Sequence, residues 1–193
     1  CGSSGTAAIK VALKALGVGK GDHVITQAFN FIATVEAIVD TGANVIFTDI
    51  DDTLNMNPKN LERLITNKTK AIIPVHMLGV PADMISINRV SKKNKIPVIE
   101  DACEAIGAKV ARKFVGGLSE FGVFSFDFGK MITTGEGGAL FSKKKIDGKN
   151  ARMYHDHGHR NIPNLPRGLD RAGLIGFNYR MTELQGAIAT VQL

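Results

Sequence analysis

Apolar positions along the chain follow two rhythms that take turns: helical spacing in some stretches, short unbroken runs in others. Ile9, Leu13 and Leu16 recur every three or four residues, which predicts a helix closed by Gly17. Val24–Thr26 is a short run and reads as a strand. Phe31, Val35, Ile38 and Val39 return to helical spacing and stop near Gly42, and Val45–Phe47 is the next strand. Asn57-Pro58 joins an N-cap to a proline at the first helical position, with Leu61, Leu64 and Ile65 as the apolar face that follows. Ala71–Val75 predicts a strand, Ala82 to about Lys93 a helix, and Ile96–Ile99 a buried strand. Phe121–Phe126 and Ala139–Phe141 are two more strands. Thr182 with Gln185 forms a capping box for a last helix carrying Leu184, Ile188 and Val191.

Strands that alternate with helices predict an α/β fold with a mostly parallel sheet and right-handed crossovers. Ligands on such sheets bind beyond the carboxyl ends of the strands. Strand-end residues are therefore the first place to look for chemistry.

Composition narrows the classes. With 193 residues, 44% hydrophobic and 22% charged, the chain suits one domain, or one domain plus part of another, with ordinary globular usage. No apolar run is long enough to cross a bilayer, and no basic-then-apolar leader is present. Two cysteines are too few for a disulfide framework, so a reducing, cytoplasmic setting is expected. The net charge of +6 is compatible with an anionic ligand. Two Tyr and no Trp supply few base-stacking faces, and the lysines form no long tract, which counts against a nucleic-acid binder. The chain opens on Cys1 and stops at Leu193 inside an amphipathic stretch, so it is expected to be a piece of a longer protein.

Four features fall where the strand-end rule points. Ser4-Gly5-Thr6-Ala7 opens the first helix, where free backbone N–H groups and small side chains can receive an anion; a plain N-cap explains the same residues. Phe31 opens the second helix. Asp101 directly follows an apolar strand and needs solvent, a cation or a ligand, since an unpartnered buried carboxylate is costly; a cap or surface ion pair would also serve. Ser125 and Lys130 flank the end of the strand Phe121–Phe126, followed by the glycine-rich Thr133–Gly138. A lysine becomes a useful nucleophile when desolvated or placed near another cation; Lys130 could equally be one of many surface lysines. Together, a phosphate cradle, a stacking face, a carboxylate and a lysine meet the needs of one cofactor, pyridoxal 5′-phosphate (PLP).

The stretches SSGTAAIKVALKALGVGKGD, FNFIATVEAI, TKAIIPVHMLG, PVIEDACEAIGA, FSFDFGKMITTGEGGALF and GFNYRMTELQGAIATVQL resemble the sugar aminotransferases of the DegT/DnrJ/EryC1/StrS family, in the same order and over essentially the whole chain. The resemblance implies a three-layer α/β/α architecture, the large domain of a PLP-dependent transferase of fold type I. Residues 1–193 would be most of that PLP-binding domain, with an N-terminal segment and a C-terminal small domain missing. It implies that Gly5, Thr6 and Ala7 hold the PLP phosphate together with Ser125, that Phe31 stacks on the ring, that Asp101 pairs with the ring nitrogen, and that Lys130 carries the cofactor as a Schiff base. Asn178 would reach the phosphate of a neighbouring subunit, so the site would be complete only in a homodimer. The implied reaction is ping-pong transfer of an amino group, with glutamate as donor, to a nucleotide-linked keto-sugar for surface polysaccharide or lipopolysaccharide synthesis.

Two positions depart from the family pattern. Glu104 stands where the family often has Gln or His beside the ring hydroxyl, and a carboxylate there needs a proton or a cation. Asp127-Phe128-Gly129 replaces the frequent Tyr-Pro-Thr before the lysine. Relatives with His in place of the lysine are dehydratases, and Lys130 argues against that reaction. A non-catalytic regulator that senses PLP or a sugar is the alternative from another class. His155, His157 and His159 lack the usual zinc spacings and predict a loop rather than a metal site, with substrate contacts open to His155 or His157. Gly17–Gly21 lacks the phosphate-loop pattern and reads as a turn.

Overall fold

A computed structural model of the protein describes residues 1–166, 168–170 and 173–193. Its helices are α1 (Gly5–Ala15), α2 (Ile32–Val39), α3 (Pro58–Leu64), α4 (Met84–Asn94), α5 (Lys145–His155) and α6 (Glu183–Gln192). Its strands are β1 (His23–Gln27), β2 (Asn44–Thr48), β3 (Thr69–Ile73), β4 (Ile99–Asp101), β5 (Lys109–Val110), β6 (Lys113–Phe114), β7 (Phe121–Ser125) and β8 (Gly138–Ser142), with one 3₁₀ turn at Met77–Gly79.

The strands run in the order β2-β1-β3 and β4-β7-β8. Isolated parallel bridges, Ile72 to Val98 and Val75 to Asp101, join the two ladders side by side. All pairings in this row are parallel except β7 with β8, which is antiparallel from Phe121–Ser142 to Ser125–Gly138. Gly2 adds an antiparallel bridge to Gly138, so the chain leading into α1 lies on the outer edge of β8. Successive strand residues face opposite sides. Ile25, Ile72 and Val98 pack with Met56, Leu61, Met84 and Ile87 around α3 and α4. Val24, Ala71, Ile73, Ile99 and Phe121 pack with Ile9, Leu13, Ala37 and Ile38 of α1 and α2. These two apolar layers sandwich the sheet, and each fully buried Ile, Leu or Phe contributes about 1.5–3 kcal/mol.

Helix ends follow the sequence signals. Ser4 Oγ accepts from the Ala7 N–H at 3.0 Å, and Gly17 at φ 72° closes α1 while Val18 N–H returns to the Leu13 carbonyl. Asn57 caps α3, and Thr182 with Gln185 makes the full capping box of α6. Gly138 is required for the close approach of β8 to α1: a Cβ there would strike the Ser4 carbonyl and lie 2.7 Å from the Gly5 nitrogen.

Three details differ from the expectations. The strand foreseen at Ile96–Ile99 lies at Ile99–Asp101, because Ile96 and Val98 enter the α3/α4 core before the ladder is regular. A β5–β6 hairpin appears at a site without a glycine turn; Ala111 and Arg112 adopt φ 46° and 68° to make it. The apolar face of α6 is not buried: Leu184 is 79% exposed and Val191 87%, and Ala189 is its buried residue. Among the described residues no helix is long and apolar enough to cross a membrane.

Candidate active site

The carboxyl ends of β4 and β7 and the amino end of α1 meet at one place. Among the described residues, no carbonyl or side chain takes up the Gly5 and Thr6 N–H groups, whereas the Ala7 N–H is spent on Ser4. Free N–H groups and the helix dipole make this end an anion receptor. Gly5 keeps it tight: a Cβ there would lie 3.0 Å from Ser125 Cβ, 3.1 Å from Cys103 Sγ and 3.3 Å from Ser125 Oγ. The Ser125 hydroxyl therefore stands beside the free N–H groups.

Asp101 ends β4 and is 4% exposed. It satisfies its burial locally. Oδ2 accepts from the Thr34 hydroxyl at 2.7 Å, and Oδ1 accepts from the Cys103 N–H at 3.2 Å. Thr34 comes from the first turn of α2, which also presents Phe31 as its N-cap. Where solvent, a cation or a ligand was expected, a hydroxyl and an amide thus already partner Asp101.

Lys130 sits in the turn after β7, its N–H on the Asp127 carbonyl at 3.0 Å. Its Nζ lies 5.9 Å from the centre of the Phe31 ring and 3.9 Å from Glu104 Oε1. Of the proton or cation expected beside Glu104, the fold brings a cation, Lys130. The other Glu104 oxygen accepts from the Leu78 N–H at 3.0 Å. Leu78 adopts φ 53° in the 3₁₀ turn to offer that N–H.

Cys103 lies among these groups. Burial, reinforced by the Asp101 and Glu104 carboxylates and opposed by Lys130, pushes its thiol well above the ordinary range. It is held as a neutral thiol at physiological pH.

One residue before Asp101, Glu100 faces the other side of the strand and is fully buried. Its carboxylate accepts from the N–H groups of Gly116 at 2.8 Å, Leu118 at 2.7 Å and Ser119 at 2.6 Å. His76 completes the set. Ala82 N–H donates to His76 Nδ1 at 3.0 Å, so Nε2 carries the proton and faces Glu100 at 3.4 Å. The His76 N–H also donates to the Asp101 carbonyl. Glu100 and His76 thus tie β4 to the turn that holds Glu104.

Of the residues singled out from sequence, Gly5, Thr6, Ala7, Ser125, Asp101, Glu104, Lys130 and Phe31 lie on this one cluster of segments. Asn178 does not join it within the chain: it is exposed, and its side-chain oxygen accepts from the Arg180 N–H. His155 Nδ1 is engaged with the Arg152 carbonyl at 2.7 Å and His159 Nδ1 with Asp170 at 2.9 Å, so these two rings turn to different partners. Sequence reasoning missed Thr34, Leu78, Cys103 and the Glu100–His76 pair. For Glu100 a signal existed: an acidic residue inside an apolar strand must have buried partners.

The cluster fits PLP on its own terms. It offers an anion-receiving helix end with a glycine that brings it close, a buried carboxylate, an aromatic face and a lysine amine within reach of that face.

Comparison with known proteins agrees. The model of the DegT/DnrJ/EryC1/StrS aminotransferase family matches residues 2–193. The chain is 40% identical over 200 residues to a GDP-perosamine synthase of Escherichia coli O157:H7, covering 99% of this chain and 51% of that protein. It superposes with a TM-score of 0.93 and 35% identity on an aminotransferase from Psychrobacter cryohalolentis, over 99% of this chain and 50% of the other. It also matches NtdA from Bacillus subtilis, solved with bound cofactor PMP, at TM-score 0.90 and 34% identity over 99% of this chain and 42% of that one. The chain spans about half the length of the relatives it matches. On the fold, the site and the length of the match, the chain belongs to the DegT/DnrJ/EryC1/StrS aminotransferase family.

Proposed function

We propose that this chain carries the cofactor site of a PLP-dependent aminotransferase that moves an amino group from an amino acid, glutamate, to a nucleotide-linked keto-sugar. The observation that carries the proposal is Lys130, paired with Glu104 and set near the Phe31 ring, on the same cluster as the open end of α1. Bound there, PLP supplies an electron sink for negative charge at the carbon that loses or gains the amine.

Each residue then has a task. The Gly5 and Thr6 N–H groups and the Ser125 hydroxyl hold the phosphate, with Ala7 small enough to leave room. Phe31 covers one face of the ring. Asp101, oriented by Thr34, keeps a proton on the ring nitrogen. Lys130 would anchor the cofactor through its amine and would serve as the base that moves a proton during the transfer. Glutamate as donor and the sugar as acceptor follow from the family and from the GDP-perosamine synthase relative. Surface-polysaccharide synthesis in the cytoplasm is the role such a product would have.

A second copy of the chain completes the site in this proposal. Phe31, Leu78, Phe128 and Met131 are 63%, 69%, 80% and 73% exposed around the site, more apolar surface than an enzyme leaves wet beside its cofactor. Asn178, exposed and not tied to its own cluster, would then reach the neighbour's phosphate. The test is the half-reaction. Full-length protein loaded with PLP and given glutamate should lose its visible band and form pyridoxamine phosphate with release of 2-oxoglutarate. Folded, PLP-bound protein that leaves glutamate unchanged, and every other amino donor tried, would refute the aminotransferase assignment.

A further inference from the structure

The site holds two carboxylates and one lysine, and the second carboxylate has a consequence of its own. Glu104 is pinned from one side by the Leu78 N–H at 3.0 Å, and its other oxygen lies 3.9 Å from Lys130 Nζ. Its side chain is 24% exposed, so solvent screens it only in part. Among the described residues, the charged or titratable groups near it are Lys130 from the turn after β7 and Cys103 next to it in the chain, with Asp101 two residues further back. The turn at Met77–Gly79 offers only backbone, and His76 before it is turned to Glu100.

In PLP the ring oxygen sits on the carbon next to the one that bears the aldehyde. On the other side of the aldehyde carbon is the phosphate arm; Ser125 and the end of α1, which would take it, lie on the β7 flank of β4, whereas Leu78, which pins Glu104, follows β3 on the opposite flank, so Glu104 would face the ring-oxygen side, away from the ring nitrogen. That oxygen is anionic in the bound form. A carboxylate pinned beside it would face a like charge, and the Lys130 cation that it had to itself would then be shared with that oxygen, which together favour protonation of the carboxylate. A protonated carboxyl can also donate a hydrogen bond to the anionic oxygen, which a carboxylate cannot.

Resting on the PLP reading above, we infer that Glu104 changes state on loading: it is the carboxylate partner of Lys130 before the cofactor binds and takes up a proton from solvent when it does, then donates to the ring oxygen. Condensation of the Lys130 ammonium with the aldehyde to a protonated C=N releases one water and no proton. The additional proton belongs to Glu104. Loading is then coupled to pH at this residue.

The experiment uses the full-length protein and its Glu104→Gln variant, whose amide is a donor without titrating. PLP binding is followed by calorimetry in buffers of different ionisation enthalpy, with the visible band recorded in parallel. Above neutral pH the wild type should take up about one proton more than Glu104→Gln, and its PLP affinity should fall about tenfold per pH unit relative to the variant. Wild type alone gives an independent check, since a protonated-carboxyl infrared band should appear on PLP addition. A visible band in both proteins with equal proton uptake, or no carboxyl band in the loaded wild type, overturns the inference and leaves the PLP reading standing. Folded wild type without a visible band removes both.

Discussion

Glu100→Gln isolates the most heavily partnered side chain beneath the site. The wild-type carboxylate is fully buried, with Oε1 receiving the Leu118 and Ser119 N–H groups and Oε2 receiving the Gly116 N–H and facing His76 Nε2. Glutamine has the same shape but only one acceptor oxygen. Whichever way its amide turns, an NH₂ meets N–H donors. At least one backbone N–H is then left unpaired, and His76 loses its acceptor or Leu118 and Ser119 lose theirs. Each unsatisfied buried group costs about 1–3 kcal/mol, and breaking a buried charged set costs about 3–5 kcal/mol. The expected loss is about 4 kcal/mol, or a drop of about 8–16 °C in Tm for a domain of this size. Urea denaturation of the PLP-free protein measures it directly. Glu62→Gln is the control: Glu62 pairs with Lys93 at a site where both side chains are largely exposed, and its midpoint should not move. A Glu100→Gln midpoint that matches this control would show that Glu100 does not hold the Gly116–Ser119 turn, and the link from β4 to the turn carrying Leu78 would have to be abandoned.

Gly138→Ala places a methyl against the Ser4 carbonyl and 2.7 Å from the Gly5 nitrogen, so the amino end of α1 must shift; PLP affinity should fall at least tenfold, read by titration of the visible band, while affinity within twofold of wild type would contradict the phosphate assignment. The Ala111-Arg112 turn forces two L-residues to positive φ, and Arg112→Gly should stabilise the protein by about 0.5–1 kcal/mol in urea titrations, with no gain counting against the turn geometry. The His159 ring beside Asp170 holds that carboxyl down from 3.8 to about 2. Because the folded value is the lower one, the contribution of this contact is fully present above about 4 and is lost as pH falls toward 2. Carboxyl NMR should place the Asp170 midpoint near 2 in wild type and return it toward 3.8 in His159→Ala.

Much of the architecture was legible because the rules behind it are local. Caps at Ser4, Asn57 and Thr182, glycines at helix ends and apolar runs each depend on a few neighbouring residues. The antiparallel pairing of β7 with β8 was not legible: two apolar runs separated by a long turn carry no mark of their relative direction. The short hairpin at Val110–Lys113 escaped because its turn residues, Ala111 and Arg112, are the opposite of what such a turn favours. Asp101, Ser125 and Lys130 could be singled out because strand ends are where α/β sheets bind ligands. Thr34 and Leu78 were not, since a hydroxyl and a backbone N–H acquire their role only from what the fold brings to them across 67 and 26 residues of sequence. Glu104 is the instructive case. A carboxylate at that position called for a proton or a cation, and the fold brings Lys130 to 3.9 Å from it.

The most direct test of the account is the visible absorbance of the full-length protein after PLP addition, compared with its Lys130→Ala variant. The account predicts a band in the wild type that disappears in the variant while both remain folded, and a covalent adduct at Lys130 after borohydride reduction of the wild type. A band of equal strength in both proteins, or none in folded wild type, would contradict it.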